Sequence, residues 1–194
     1  MSTASLNKLL RDVRGCRLCE QHLPLGPNPV LRASSTARVL IIGQAPGTRV
    51  HQTGVPWNDP SGDRLRDWMQ IDRDRFYNES EIAIIPMGFC YPGKGKSGDL
   101  APRPECAAQW HNKLLAEMPA IRLAILIGKY AQDHYLDSKR KTLTDTVQCW
   151  QNYLPEYFPL PHPSPRNNRW LRNNPWFEGE VLPAFRKRIA GLLE

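Results

Sequence analysis

Two stretches of this chain gather side chains and backbone that could bind a ligand and act on it. Gly43-Gln44-Ala45-Pro46-Gly47 joins glycine and proline in a tight turn. A glycine has no side chain to obstruct approach, so backbone N–H groups there can come close to a ligand. The run continues through Gln52-Thr53-Gly54-Val55-Pro56-Trp57-Asn58-Asp59-Pro60-Ser61-Gly62-Asp63, which carries an indole and two carboxylates. The second stretch, His162-Pro163-Ser164-Pro165-Arg166-Asn167-Asn168-Arg169-Trp170, offers an imidazole, a hydroxyl, arginines and a flat ring on a proline-stiffened loop. Taken singly, each has an ordinary structural reading: a strand-to-helix turn, a satisfied histidine. Asp59 followed by Pro60 is also a good helix N-cap and first-position pair.

Five cysteines form a third group. The number is odd and no secretory signal accompanies them, which argues against a disulfide framework and makes a metal site the first alternative to test. Cys16-x-x-Cys19 stands near the N-terminus, and Cys90 and Cys106 are separated by fifteen residues. Cys149, beside Trp150 on an apolar helical face, is read as a core residue.

These groups must be positioned by a fold, and the apolar pattern indicates which. Four short apolar runs recur, within Arg38–Gln44, Ile82–Cys90, Leu123–Lys129 and Tyr157–Arg166. The first three have no alternation and read as strands buried on both faces, as in a parallel sheet, with the fourth run as the last strand. Helical spacing separates them: Leu6, Leu9, Leu10 and Val13, stopping at Gly15; Leu65, Trp68 and Met69 after an Asp59 or Ser61 cap; Cys106, Trp110, Leu114 and Met118 after Pro104; Leu143, Val147 and Trp150. Asn174-Pro175 would open a last helix bearing Phe177, Val181, Phe185, Ile189 and Leu192, with Pro183 kinking it or delaying its start. The alternation predicts one α/β domain over 1–194, a three-layer α/β/α sandwich with a central four-stranded parallel sheet. The loops after Ile42 and Leu160 would then open at the carboxyl edge of the sheet, where ligands bind in such folds.

Composition limits the partners. Hydrophobic residues make up 41% and charged residues 23%, a globular balance. Lys and Arg total 26 against 19 Asp and Glu, a formal net charge of +7 that fits a polyanionic partner such as nucleic acid. Basic residues cluster at 139–141, at Arg166, Arg169 and Arg172, and at 186–188; the middle cluster falls where Pro and Asn predict a loop. The longest apolar run, Leu123 to Ile127, is far short of the ~20 residues of a bilayer span. The expectation is a cytoplasmic monomer with no membrane partner.

The paired loops resemble the signatures of the uracil-DNA glycosylase superfamily: G-x-x-P-G after the first strand and H-P-S-P after the last, here 119 positions apart from Gly43 to His162. The resemblance extends from about Cys16 to the C-terminus. Gln52 to Trp57 and His162 to Asn167 are similar to the single-strand-selective monofunctional branch, and the four cysteines are arranged as in the iron–sulfur branch. It implies a DNA glycosylase that hydrolyses the N-glycosidic bond of a flipped-out base, uracil foremost, in base-excision repair. It also implies a [4Fe–4S] cluster on Cys16, Cys19, Cys90 and Cys106, though four thiolates would equally hold a tetrahedral zinc. By the same resemblance His162 donates to the departing base, with backbone N–H groups around Gln44 assisting, and Gly43, Ala45 and Pro46 form the rest of that loop. Trp57 stacks on the base and Ser164 holds a phosphate. Arg166, Asn167 and Asn168, with Arg169 alongside, fill the vacated stack and contact DNA.

Three positions depart from the family pattern. Ala45 stands where several branches carry Asp or Asn, and Gln44 where the iron–sulfur branch has Glu. Another alanine-bearing branch uses an Asp in a run like Asn58–Asp63, so Asp59 is the candidate for activating water, with Asp63 and His51 as alternatives. Pro86 stands where uracil-selecting relatives place an Asn, so Asn78, Gln52 or backbone groups would have to read the base, or the base is not uracil. These departures keep two other readings open: a module of the same fold that binds damaged or single-stranded nucleic acid without cutting it, and covalent capture of an abasic site by His51.

Overall fold

The computed structural model describes residues 3–96 and 98–194. Its centre is a four-stranded, wholly parallel sheet of β1 (Val39–Ile42), β2 (Ile82–Ile84), β5 (Leu123–Ile127) and β6 (Tyr157–Leu160), in the order β2-β1-β5-β6. The four expected strands are thus all present. Their sequences lack clear alternation because both faces are covered. Leu40, Ile42, Ala124 and Leu126 enter one buried cluster with Leu6, Leu10 and Val13. Val39, Ile41, Leu123, Ile125, Ile127 and Phe158 enter another with Phe177, Phe185 and Ile189. Each such side chain removed from water contributes roughly 1.5–3 kcal/mol.

Helix α1 (Thr3–Arg14) closes at Gly15, whose N–H reaches the Arg11 carbonyl at 3.0 Å. The segment after β1, read from sequence as continuous loop, instead holds a short helix, α2 (Thr48–Thr53), which ends at Gly54 with φ +66°. Helix α3 (Pro60–Met69) starts where Asp59 predicts it, and the short α4 (Arg73–Phe76) leads into β2.

Between β2 and β5 the chain makes a two-stranded hairpin, β3 (Lys94–Gly95) against β4 (Gly98–Asp99). Next come α5 (Pro104–Cys106), a wide helical turn over Ala107–His111 and α6 (Asn112–Ala116). After β5 come α7 (Lys129–Tyr135) and α8 (Leu143–Gln148), whose end leaves Cys149 half-buried rather than in the core.

Arg166, Arg169 and Arg172 do not lie in a simple loop. A single turn over Pro165–Asn167 runs into α9 (Asn168–Asn173), because the stretch Arg-Trp-Leu-Arg favours helix more than its flanking Asn residues oppose it. The last helix starts with a wide turn at Phe177–Val181 and continues as α10 (Leu182–Leu193). Proline lacks an N–H and its ring crowds the carbonyl four residues back, so the widened turn before Pro183 accommodates it without ending the helix. The buried stripe runs 177, 181, 185, 189 and Leu193; Leu192 is only packed against its edge.

Candidate active site

The chain leaves β1 toward β2 on one side and returns to β5 on the other, so a crevice forms at the carboxyl edge between β1 and β5. A pocket enclosing about 450 Å³ of space, part of it open to solvent, lies there. Its lining includes Gly43, Gln44, Ala45, Pro46, Trp57, Asp59, Pro86 and His162. Both loops singled out from sequence therefore meet in one cavity. A wider groove of about 1050 Å³ shares Gln44, Ala45, Gly47, Asp59 and His162 with it and continues past Ser164, Arg166 and Asn167.

Trp57 is built into its place. Its backbone is left-handed, with φ +56°, an unusual conformation for an aromatic residue. Gly62 explains how it is held: a Cβ there would overlap the Trp57 carbonyl oxygen. That oxygen accepts from Nη1 of Arg66 at 3.2 Å. Arg66 is 7% exposed, although it stands on a helix, and its Nη2 donates to Asp63 at 2.5 Å while its guanidinium lies over the Phe76 ring. Tyr77 donates to the Pro56 carbonyl at 2.7 Å. The indole then passes over Gly43, where a Cβ would lie 2.7 Å from its Cζ2, and approaches His162 with ring centroids 5.7 Å apart.

His162 is half-buried at the end of β6. Its Nδ1 accepts from the Ser164 N–H at 3.2 Å, which leaves the neutral ring's proton on Nε2. Burial lowers its pKa below the ordinary value, and the nearby Asp59 charge partly opposes that shift. A neutral imidazole with Nε2 as donor is the form that suits hydrogen bonding to a developing anion. Asn167 fixes the same loop by donating to the His162 carbonyl at 2.7 Å, and Arg64 donates to the Ser164 carbonyl at 3.2 Å. The Ser164 hydroxyl accepts from the Arg166 N–H at 3.2 Å.

Asp59 satisfies both of its sequence readings. Its Oδ1 caps α3 by accepting from the Gly62 N–H at 2.9 Å, and the carboxylate also lines pocket and groove. Asp63 instead pairs outward with Arg66, with most of its side chain exposed, and lines neither. His51 also lies outside the pocket lining; its Nδ1 is buried without a hydrogen-bond partner and its ring stands 6.2 Å from Tyr91. Gln44 lines pocket and groove, and its side chain donates to the Leu100 carbonyl at 3.3 Å. Asn168 and Arg169 are exposed at the start of α9, beyond the groove lining.

Pro86 does lie in the pocket wall. Strand pairing continues past β1 and β2 on either side of it, Ile85 N–H to Ile41 O at 3.0 Å and Met87 N–H to Gly43 O at 2.9 Å. The Pro86 carbonyl accepts from Nε2 of His111 at 3.1 Å, so Nδ1 of His111 accepts from the Tyr135 hydroxyl at 2.6 Å. His111 is 1% exposed and stacks on Phe89. Its burial brings its pKa down to about 4.

The sequence reading missed two groups here. Asp99 lines the groove, with Oδ2 3.5 Å from where a Cβ on Gly47 would lie. Gly98 abuts the Arg166 guanidinium. The signal available was Gly93-x-Gly95-x-x-Gly98, a hairpin-like glycine spacing whose strands are too short to show alternation.

Cys16, Cys19, Cys90 and Cys106 line a separate hollow of about 240 Å³ with Leu23, Pro27, Pro29 and Phe89. Burial raises the thiol pKa at Cys19, to about 11 at Cys90 and to about 12 at Cys106. Four thiols facing one apolar hollow are a donor set that fits a thiolate-bound cluster or metal. Among the described residues no group of three or more His, Cys, Asp or Glu stands close enough together, as placed, to hold a metal ion.

Two comparisons bear on this geometry. The chain matches the family model of the Uracil DNA glycosylase superfamily over residues 32–186. It is also similar to the solution NMR structure of a candidate uracil DNA glycosylase from Methanosarcina acetivorans, at 17% identity and TM-score 0.47, over 80% of this chain and 93% of that one.

Proposed function

The chain belongs to the uracil DNA glycosylase superfamily, and on that footing we propose that it hydrolyses the N-glycosidic bond of a damaged base, uracil foremost, flipped out of DNA. The observation that carries this reading is the junction of pocket and groove: Trp57 and His162 stand side by side in the pocket, and the Asp59 carboxylate lines both spaces. A flipped base would enter the pocket and stack on Trp57, leaving its sugar at the junction and its phosphates in the groove.

As the bond breaks, negative charge develops on the base and positive charge on the sugar. Nε2–H of His162 donates to the base; its neutral state costs no proton at neutral pH. Asp59 opposes the charge on the sugar and orients a water for attack from the other face. Ala45 offers no polar group for that task. Ser164, Arg166 and Asn167 hold the strand from the groove wall.

Cys16, Cys19, Cys90 and Cys106 would hold a [4Fe–4S] cluster, with zinc as the alternative occupant. Such a group would supply a cross-link between the N-terminal segment and both ends of 91–105; no step of the hydrolysis passes through it. Iron, sulfide and zinc analysis of anaerobically purified protein distinguishes the two, and Cys106→Ser should lower the content of either.

Base release from oligonucleotides bearing uracil, hypoxanthine, xanthine or no lesion, single- and double-stranded, tests the activity. Alkali-sensitive cleavage at one lesion, lost in Asp59→Asn, is the expected outcome. Binding without release from any substrate would favour a non-catalytic nucleic-acid-binding module, the reading to which Ala45 and Pro86 lend support.

A further inference from the structure

We propose that the β3–β4 hairpin is a second nucleic-acid contact, in which Lys94 and Lys96 hold the phosphodiester backbone of the strand whose nucleotide enters the pocket. The inference rests on the nucleic-acid reading of the groove and adds to it an element that the two signature loops do not include.

The hairpin is placed against the groove by contacts along its second strand and just beyond it. Gly98 and Asp99 line the groove, Gly98 abuts the Arg166 guanidinium, and Asp99 sits against the turn at Gly47. The next residue, Leu100, accepts from the Gln44 side chain at 3.3 Å and donates its N–H to the Gly93 carbonyl at 2.9 Å. Lys94 is directly opposite Asp99 in the antiparallel register. Opposite residues in such a pair share a face, so Lys94 lies on the side that Asp99 turns to the groove. Both Lys94 and Lys96 are exposed.

Three cations, Lys94, Lys96 and Arg166, therefore belong to elements that touch at one rim. Gly98 takes left-handed backbone, φ +151°, and a Cβ there would overlap the Arg166 guanidinium, so the glycine is what lets that cation lie against the hairpin. The adjoining segment, Ser164 to Asn167, already carries the expected phosphate and wedge groups. Cys90 and Cys106 bracket the segment, so the cysteine site would fix the base of the hairpin while its tip reaches the strand. Phosphate contacts position a nucleic acid without reading its sequence, which suits an element bearing lysines and glycines.

The test is equilibrium binding of an oligonucleotide carrying a tetrahydrofuran abasic analogue, by fluorescence anisotropy across a salt titration. It needs no turnover. Lys94→Ala/Lys96→Ala should weaken binding about tenfold at low salt and flatten the log K against log salt slope by roughly 1.4 for a single strand, from two lost phosphate contacts. Lys94→Arg/Lys96→Arg should restore both. Lys8→Ala/Lys113→Ala removes the same charge from helices that line neither pocket nor groove and should leave the slope unchanged. A hairpin variant with the wild-type slope, or a control variant with an equal loss, overturns the assignment while the glycosylase reading stands. Absence of DNA binding by the wild-type protein overturns both.

Discussion

Acid should destabilise this fold through one side chain, His111. It is 1% exposed, accepts from Tyr135 through Nδ1, donates to the Pro86 carbonyl through Nε2, and is faced by Phe89 and by His134 at 6.0 Å. Burial, with His134 adding to it, outweighs the Pro86 carbonyl that would favour a positive ring, and carries the pKa from 6.5 to about 4. Above pH 6.5 the ring is neutral in both folded and unfolded chains and contributes no pH dependence. Between 6.5 and 4 the unfolded chain binds a proton that the folded chain does not, so stability falls as the pH falls through that window. At ~1.4 kcal/mol per pKa unit, the loss attributable to this residue is about 2.5 kcal/mol by pH 4.5. The perturbation is His111→Gln, which keeps a donor for Pro86 and an acceptor for Tyr135 but does not titrate. Urea unfolding of both proteins from pH 7.5 to 4.5 gives the difference, in which other carboxylates and His162 cancel. Wild type should be the more stable at pH 7.5 and should lose that advantage, by about 2.5 kcal/mol, at pH 4.5. Parallel stability curves would refute the reasoning.

Gly43→Ala places a Cβ 2.7 Å from the Trp57 indole, whose backbone cannot retreat past Gly62; base release should fall by about a hundredfold, checked by single-turnover kinetics. NMR titration of the His162 ring should give a pKa below 6.5, lower still in Asp59→Asn because the opposing charge is gone; a rise in that variant would contradict the placement. Arg66→Met leaves the Trp57 carbonyl without its donor and removes a buried cation from the Phe76 ring. It should cost about 2–4 kcal/mol in urea unfolding and reduce base release as well.

What was legible in the sequence follows from which forces act locally. The parallel strands were legible because burial on both faces demands apolar residues at every position, as Leu123–Ile127 shows. Asp59 and Pro60 marked the start of α3 because capping is a property of adjacent residues. The left-handed Trp57 was not legible, since its conformation depends on the space over Gly62 and on Arg66, a residue that helical position alone would assign to the surface. Nor was the hairpin: two-residue strands carry no periodicity, and its position depends on Gly47 and Arg166, each more than forty residues away from it in the chain. Arg166 itself was expected in a loop because prolines and asparagines surround it, whereas Trp170 and Leu171 gain burial by folding α9 back onto the core.

The same distinction explains how the candidate site is held together. The sheet delivers His162 and Gly43 to its carboxyl edge, and pairing past the strand ends, Gly88 N–H to Gln44 O at 3.0 Å, ties the Pro86 wall to the Gly43 loop. These links persist as long as the sheet does. The groove rim is different: the hairpin belongs to a separate two-stranded sheet, and its supports are Gln44, Gly47, Arg166 and the chain between Cys90 and Cys106. On the proposed reading that the four thiols hold a cluster or zinc and the groove holds DNA, removal of that group should loosen the rim and weaken DNA binding while leaving the sheet intact. Hydrogen exchange of apo protein, by this argument, should show lost protection at Lys94–Leu100 with β1 and β5 unchanged.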